Sequence, residues 1–264
     1  MPTLDVFGHP TWYTVQGAGN ETVLLLHGGL SNSDALLDSI GGPLGEHLRV
    51  AAFDRRGHGR TADTPEAFHY ESMVDETIAV IEHIGGPVHI VGWSDGGIVG
   101  LLLALRRPEL VGRLVAIGAN YHWNVLPDLT GAAASDDAGD DVPTDDPIMA
   151  LMAAAYAERS PDGPDHFAVV AAKGFHLFGI EPELTVEDLA SVSVAVLLMA
   201  GDDDLIPLSH TAAFFAGLPN AQLAIVPGAS HGLPMEHPQE VVGLIKRFLG
   251  SEVPPATMMP NMRT

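Results

Sequence analysis

Ser94 lies in Gly92-Trp93-Ser94-Asp95-Gly96, directly after an apolar run at 88–91 and at the start of a glycine-rich segment with helical character. A serine on a sharp strand-to-helix turn projects its hydroxyl from the edge of a sheet, and small flanking residues let the chain turn that tightly. A hydroxyl is a weak nucleophile until a base takes its proton. Of thirteen histidines, His231 is the one placed to serve as that base, because Pro227-Gly228-Ala229-Ser230-His231-Gly232 follows the last apolar run, 223–226. The base needs a carboxylate to orient it and to stabilise its charged form. Gly201-Asp202-Asp203-Asp204 offers three, in the chain order serine, acid, histidine. Crowded carboxylates repel, so one of them is expected to be buried against His231 while the others face water or cap a helix.

Attack on a carbonyl also requires donors for the oxygen that becomes negative. His27-Gly28-Gly29 follows the expected strand 22–26, and glycines let backbone approach a substrate closely. The amides of Gly29 and Asp95 are therefore the expected oxyanion hole; loss of one such donor typically costs roughly 10²–10³ in turnover. His27, His58 and His237 read as structural, and His122, His166 and His176 as exposed histidines in or near an insertion.

These residues need a scaffold that brings distant loops together. Apolar runs at 22–27, 50–53, 88–91, 114–117, 194–199 and 223–226 have the length and bounding residues of buried strands. Helical patterns at 73–84, 97–106, 210–216 and 239–249 alternate with them. Such alternation implies crossover units and a mostly parallel sheet with helices on both faces. The rhythm breaks between Tyr121 and about Asp188. An aspartate-rich stretch, 129–147, reads as a mobile loop, and helices are expected over 147–159 and 165–178, the second capped by Asp165. This insertion is expected over the carboxyl edge of the sheet, where open α/β folds place their ligands. The core then comprises 1–120 and 189–250, the cap 121–188, and the Pro- and Met-rich tail 251–264.

Composition narrows the chemistry. With 46% hydrophobic and 17% charged residues, the chain of 264 residues can bury a sizeable core. It has no cysteine, which excludes thiol nucleophiles and thiolate-bound metals. The net charge of −22, from 34 acidic and 12 basic residues, repels nucleic acid and anionic membranes. No signal peptide and no run long enough to span a membrane is evident, so a cytoplasmic protein is expected. Nothing in the pattern specifies an oligomeric state.

The segments His27-Gly28-Gly29, Asp54-Arg55-Arg56-Gly57-His58-Gly59, 92–97, 201–204 and Ser230-His231-Gly232 occur in the order found in the α/β-hydrolase family, which the chain resembles over nearly its whole length. The resemblance implies that fold, with a small helical cap. In the family the acid usually stands three residues after the glycine, which points to Asp204, and four before a proline, which from Pro207 points to Asp203. The chain is one residue short between these landmarks; Asp204 is preferred and Asp203 is the alternative. The residues 92–97 and Ile117-Gly118-Ala119-Asn120 further resemble the biphenyl-hydrolase-like and valacyclovirase group. In that group the aspartate after the serine binds the ammonium of amino-acid esters, a role that would fall to Asp95; its other role would be to cap the elbow helix.

The expected reaction is hydrolysis of an ester or lactone through an acyl-enzyme on Ser94, with no metal or organic cofactor. Serine at the elbow argues against the carboxylate-nucleophile chemistry of haloalkane dehalogenases and epoxide hydrolases in this family. Carbon–carbon bond hydrolysis, cofactor-free perhydrolysis or haloperoxidation, and a non-catalytic small-molecule receptor are the alternatives. The partner is a small, partly hydrophobic substrate, with Trp93, Tyr121, Trp123, Phe175 and Leu233, together with Phe167 and Phe178, as its expected apolar contacts.

Overall fold

The computed structural model describes residues 2–126 and 146–251. Nearly all of the aspartate-rich stretch 129–147, and the tail beyond Ser251, lie outside the described residues. The described chain forms an eight-stranded sheet: β1 (Thr3–Val6), β2 (His9–Gln16), β3 (Thr22–Leu26), β4 (Arg49–Phe53), β5 (Val88–Trp93), β6 (Val111–Ile117), β7 (Ala195–Asp203) and β8 (Ala221–Ser230). The spatial order is β1-β2-β4-β3-β5-β6-β7-β8. From β4 to β8 every pairing is parallel, while β1–β2 and β2–β4 are antiparallel.

The central parallel strands are mostly apolar because both of their faces are covered, whereas the edge strand β8 leaves Leu223 and Ile225 partly exposed. Along β3 all five residues are buried, and successive side chains alternate between two cores. Leu24 and Leu26 join Ile90 and pack under α1 (Tyr70–Ile84) and α2 (Asp95–Arg106) through Val74, Ile81, Ile98 and Leu101. Val23 and Leu25 join Val91 and Val115 on the other face. There they meet Ile40 and Leu44 of the helical stretch 34–45 and Val241, Ile245 and Phe248 of α6 (Pro238–Gly250), which closes the described chain. Each side chain fully buried in this way contributes about 1.5–3 kcal/mol relative to exposure.

Between β6 and β7 the chain leaves the sheet to form α3 (Pro147–Arg159) and α4 (Phe167–Phe178), and α5 (Leu208–Gly217) joins β7 to β8. Asp165 does not cap α4. It sits in the 3-10 turn Pro164–His166 that runs directly into the helix, whose N-cap is His166 with no side-chain cap bond. The hairpin of β1 and β2 escapes the apolar-run criterion because its strands are partly exposed. It also turns on Phe7 and Gly8, both at positive φ (55° and 85°), where the sequence shows only half of the usual turn signal.

β3 is followed in sequence by β4 on one side but neighboured by β5 on the other. At this reversal the chain leaves β3 and β5 toward opposite faces of the sheet, and the carboxyl edge between them is the usual ligand position of open α/β sheets. The segments carrying Gly29, Ser94, Asp204 and His231 all emerge from carboxyl ends of strands on this edge.

Candidate active site

β5 ends at Trp93 and α2 begins at Asp95, so Ser94 alone makes the turn. Its φ and ψ of 54° and −120° are strained for a non-glycine residue. The strain is held by the Ser94 amide donating to Ile117 O at 2.8 Å and by the Gly97 and Ile98 amides donating to Ser94 O. The flanking glycines are required by close approach. A Cβ on Gly92 would lie 2.1 Å from Gly96 O, and one on Gly96 would lie 2.0 Å from Leu26 O. Either substitution would push the elbow off β3 or off its own helix.

Ser94 Oγ lies 3.0 Å from His231 Nε2, and His231 Nδ1 lies 2.8 Å from Asp204 Oδ1. A carboxylate beside Nδ1 selects the tautomer with the proton there, leaving the Nε2 lone pair facing the serine hydroxyl. Among the three aspartates only Asp204 reaches the imidazole. Asp202 and Asp203 are exposed, and Asp202 accepts from the Gly228 amide at 2.6 Å. β7 runs through Asp203, which pairs with Ser230 beyond an irregularity, so the chain turns inward one residue later. The Asp204 side chain is 1% exposed and its Oδ1 also accepts from the Ile206 amide at 3.0 Å.

Two features that hold this arrangement carry little signal in sequence. Gly118, at φ +59°, lies so close to the imidazole that a Cβ would stand 3.0 Å from His231 Nδ1. The loop bearing His231 is tied by Glu236, whose carboxylate accepts from the Ser230 amide (2.7 Å) and hydroxyl (2.6 Å). Those bonds pull the Glu236 carboxyl below its ordinary value. Trp93, expected beside the substrate, is instead enclosed at 7% exposure and donates its indole N–H to His231 O at 2.8 Å.

The loop after β3 abuts the elbow. A Cβ on Gly28 would be 3.3 Å from Ser94 Cβ, and one on Gly29 would be 2.6 Å from both Asp95 Oδ2 and Phe178 Cζ. The Asp95 amide is among the first of α2, and a helix leaves its first four N–H groups without intrahelical acceptors. Its carboxylate is buried and accepts from the Tyr70 hydroxyl at 2.9 Å rather than from a helix amide. Burial pushes this carboxyl up; Arg55, Tyr70 and His231 oppose the rise.

His27 and His58 are both buried. His58 Nε2 accepts from the Leu30 amide at 3.2 Å, and burial with the nearby Arg55 charge brings its pKa down to about 3. His27 is lowered well below its ordinary value by burial, with Arg55 and His58 adding to the effect. Both are neutral spacers at ordinary pH.

The remaining apolar residues divide. Leu233 is 1% exposed and Phe167 is 7% exposed, so both are packing residues. Tyr121 stacks on His210 with ring centroids 4.1 Å apart, and Trp123 is 36% exposed on the short turn Trp123–Val125. Phe175 meets Phe178 edge-on at 6.1 Å. Phe178 lies against Gly29, and Trp93 against Gly28 of the same loop.

Besides packing on the core through Tyr156, Phe167, Val170 and Leu177, α3 and α4 are tied by charges to the segments that follow β3 and β4. Arg159 pairs with Asp34 at 2.9 Å, and Lys173 and His166 both reach Asp63, at 2.7 and 2.9 Å. Burial would raise the Asp63 carboxyl, but the bonds from Lys173 and His166 outweigh it and lower the pKa. Glu181 accepts from the first amide of α1, on Tyr70, at 2.9 Å and pairs with His69 at 2.7 Å. Among the described residues no group of His, Cys, Asp or Glu is arranged to hold a metal ion, and no helix is long and apolar enough to cross a membrane.

Residues 23–244 match the family model described as the alpha/beta hydrolase family. A protein of Caulobacter segnis named as a carbamate hydrolase, RutD, is 30% identical over 267 residues, covering 90% of this chain and 96% of its own. A hydrolase from Pseudomonas aeruginosa superposes with a TM-score of 0.76 at 24% identity, covering 95% of this chain and 98% of that one. A meta-cleavage product hydrolase from Pseudomonas fluorescens does so with a TM-score of 0.73 at 21% identity, covering 94% and 97%. The structural likenesses establish the shared fold.

Proposed function

The chain belongs to the alpha/beta hydrolase family, and from that premise we propose that it hydrolyses a carboxylic ester or lactone through an acyl-enzyme on Ser94. The observation that carries the reading is the hydrogen-bonded line from Ser94 Oγ through the His231 imidazole to Asp204, with spacings of 3.0 and 2.8 Å. Ser94 Oγ attacks the carbonyl carbon while its proton passes to His231 Nε2. The carbonyl oxygen becomes negative and is held by the amides of Gly29 and Asp95. His231 returns the proton to the leaving alcohol, the C–O bond breaks, and the acyl group remains on Ser94. A water then enters, gives a proton to His231 and attacks the acyl carbon; His231 returns that proton to Ser94 Oγ as the acyl–oxygen bond breaks and the acid leaves. Asp204 stabilises the imidazolium in both halves.

Residues 121–188 act in this reading as a cap over the site, with 1–120 and 189–250 as the core. Phe175, Phe178, Tyr121 and Trp123 supply apolar contacts for the substrate. The enclosed Asp95 carboxylate, already bonded to Tyr70, favours support of the loop over capture of a substrate ammonium.

A second reading, hydrolysis of a carbamate, is favoured by the name of the Caulobacter segnis relative. Both reactions begin with the same attack on a carbonyl. The test is turnover of short p-nitrophenyl esters, a γ-lactone and an N-unsubstituted carbamate ester by wild type and Ser94→Ala. Turnover of ester or lactone that vanishes in the variant is the expected result, and preferential cleavage of the carbamate selects the second reading. Well-folded wild type inert toward the whole panel would contradict both.

A further inference from the structure

Arg55 belongs to a motif, Asp54-Arg55-Arg56-Gly57-His58-Gly59, that the reaction as derived does not use. The side chain is 1% exposed, which is unusual for a group that is costly to remove from water. Its charge is faced by Asp95, Glu76, Tyr70 and Asp54, and burial still pulls its pKa down overall. A guanidinium remains protonated despite such a shift.

Its hydrogen bonds converge on two residues. Nη1 donates to His27 O at 2.8 Å and Nη2 to Gly28 O at 3.1 Å. The Arg55 amide donates to His27 Nε2 at 3.2 Å. Because that amide can only donate, Nε2 carries no proton, and the His27 proton is on Nδ1. Nδ1–H therefore donates to Gly28 O at 2.7 Å. The 3.2 Å approach of Nη2 to Nδ1 is then a contact between two donors rather than a bond.

Gly28 O thus accepts from two donors, one of them charged. That oxygen and the Gly29 N–H belong to the same planar trans peptide, in which the C=O and N–H point in opposite directions. Fixing the oxygen fixes the direction of the N–H. A positive charge at the oxygen end also draws electron density away from the nitrogen, so the amide becomes a stronger donor. We propose that Arg55 is a positioning residue for the oxyanion hole: it clamps the peptide between Gly28 and Gly29, aims and polarises the Gly29 N–H, and has no contact with substrate. The proposal rests on the acyl-enzyme reading above.

The test compares a p-nitrophenyl ester with its thionoester, which presents sulfur, a poor hydrogen-bond acceptor, to the same amides. Wild type is expected to favour the oxygen ester by about 10²-fold or more in kcat. Arg55→Met lowers kcat on the oxygen ester by about 10-fold or more. KM and the thionoester rate change little, so the preference collapses. Arg55→Lys keeps the charge but not the two-pronged grip, and falls between. Met leaves the buried Asp95 without its main countercharge and risks unfolding. In that event Arg55→Lys and Arg55→Gln, checked by circular dichroism and melting temperature, carry the same comparison. A folded variant that slows both esters equally, with the oxygen preference unchanged, would overturn the proposal while leaving the acyl-enzyme reading intact. A wild type that neither turns over ester nor is labelled at Ser94 would instead overturn the reading beneath it.

Discussion

The loops at the carboxyl edge of the sheet and the helices between β6 and β7 differ in the polar contacts that tie them down. The loop after β3 is held by buried neutral imidazoles, backbone carbonyls and the enclosed Arg55. The His231 loop is fixed by Trp93, Glu236 and Asp204. α3 and α4 pack on the core through Tyr156, Phe167, Val170 and Leu177 and are further tied by ion pairs at Asp34 and Asp63, with Arg159 39% and Lys173 16% exposed and the Asp63 side chain enclosed. Buried hydrogen bonds are little affected by salt and costly to leave half made; partly exposed ion pairs are screened and individually weak. A hydrolase needs both. Its reacting atoms must be held to a fraction of an ångström, and in the proposed reading the inserted helices must yield to admit substrate.

The largest expected effect falls on the rigid region. Asp204→Asn should lower kcat by about 10⁴-fold, since it removes the charge that selects the His231 tautomer and stabilises its imidazolium. Asp203→Asn, on an exposed side chain one residue away, should leave kcat within about twofold, the scale of surface substitutions. Equal losses in the two variants would contradict the assignment of the acid.

Acid should act on the same region. In the folded chain His27 and His58 both sit below their ordinary value, whereas in the unfolded chain they titrate near pH 6.5. Below that pH the unfolded chain binds protons that the folded chain does not, so stability falls as pH drops toward about 3, where His58 itself protonates. Urea midpoints should therefore decline from pH 7 to pH 5, with net proton uptake on unfolding measured by calorimetry in buffers of different ionisation enthalpy. The decline should shrink in His58→Asn relative to wild type; an identical pH dependence in the two proteins would contradict a buried neutral His58, whatever Asp95 and Glu76 contribute in the opposite direction.

The smallest effect belongs to the inserted helices. Lys173→Met should cost about 1–2 kcal/mol, because Asp63 keeps His166 but loses its strongest donor. It should raise KM more than it lowers kcat; added salt in wild type should weaken the more exposed Arg159–Asp34 pair first. A loss of kcat at unchanged KM would mean that α4 acts on the chemistry directly, and the contrast between the two regions would fail.

How much of this was legible in the sequence follows the same division. Ser94 and His231 were identifiable because strand, glycine turn and helix succeed one another within a few residues, and local punctuation survives without tertiary knowledge. The choice between Asp203 and Asp204 was not, since it depends on where β7 stops pairing with β8. The β1–β2 hairpin lacked the continuous apolar runs that marked the parallel strands. Trp93 and Leu233 looked like ligand surface because aromatic and aliphatic residues beside a reactive serine serve binding and packing equally; only their enclosure separates the two uses. The pairs Arg159–Asp34 and Lys173–Asp63 join residues more than a hundred positions apart, and no spacing rule relates them.

The most direct test of the central claim is intact mass after treatment with a fluorophosphonate, on wild type and Ser94→Ala. A single adduct on wild type and none on the variant is the predicted result: Ser94 is then a nucleophile activated by its hydrogen bond to His231. Equal labelling of both proteins, or none of a well-folded wild type, would contradict the assignment of Ser94 as the reacting atom's carrier.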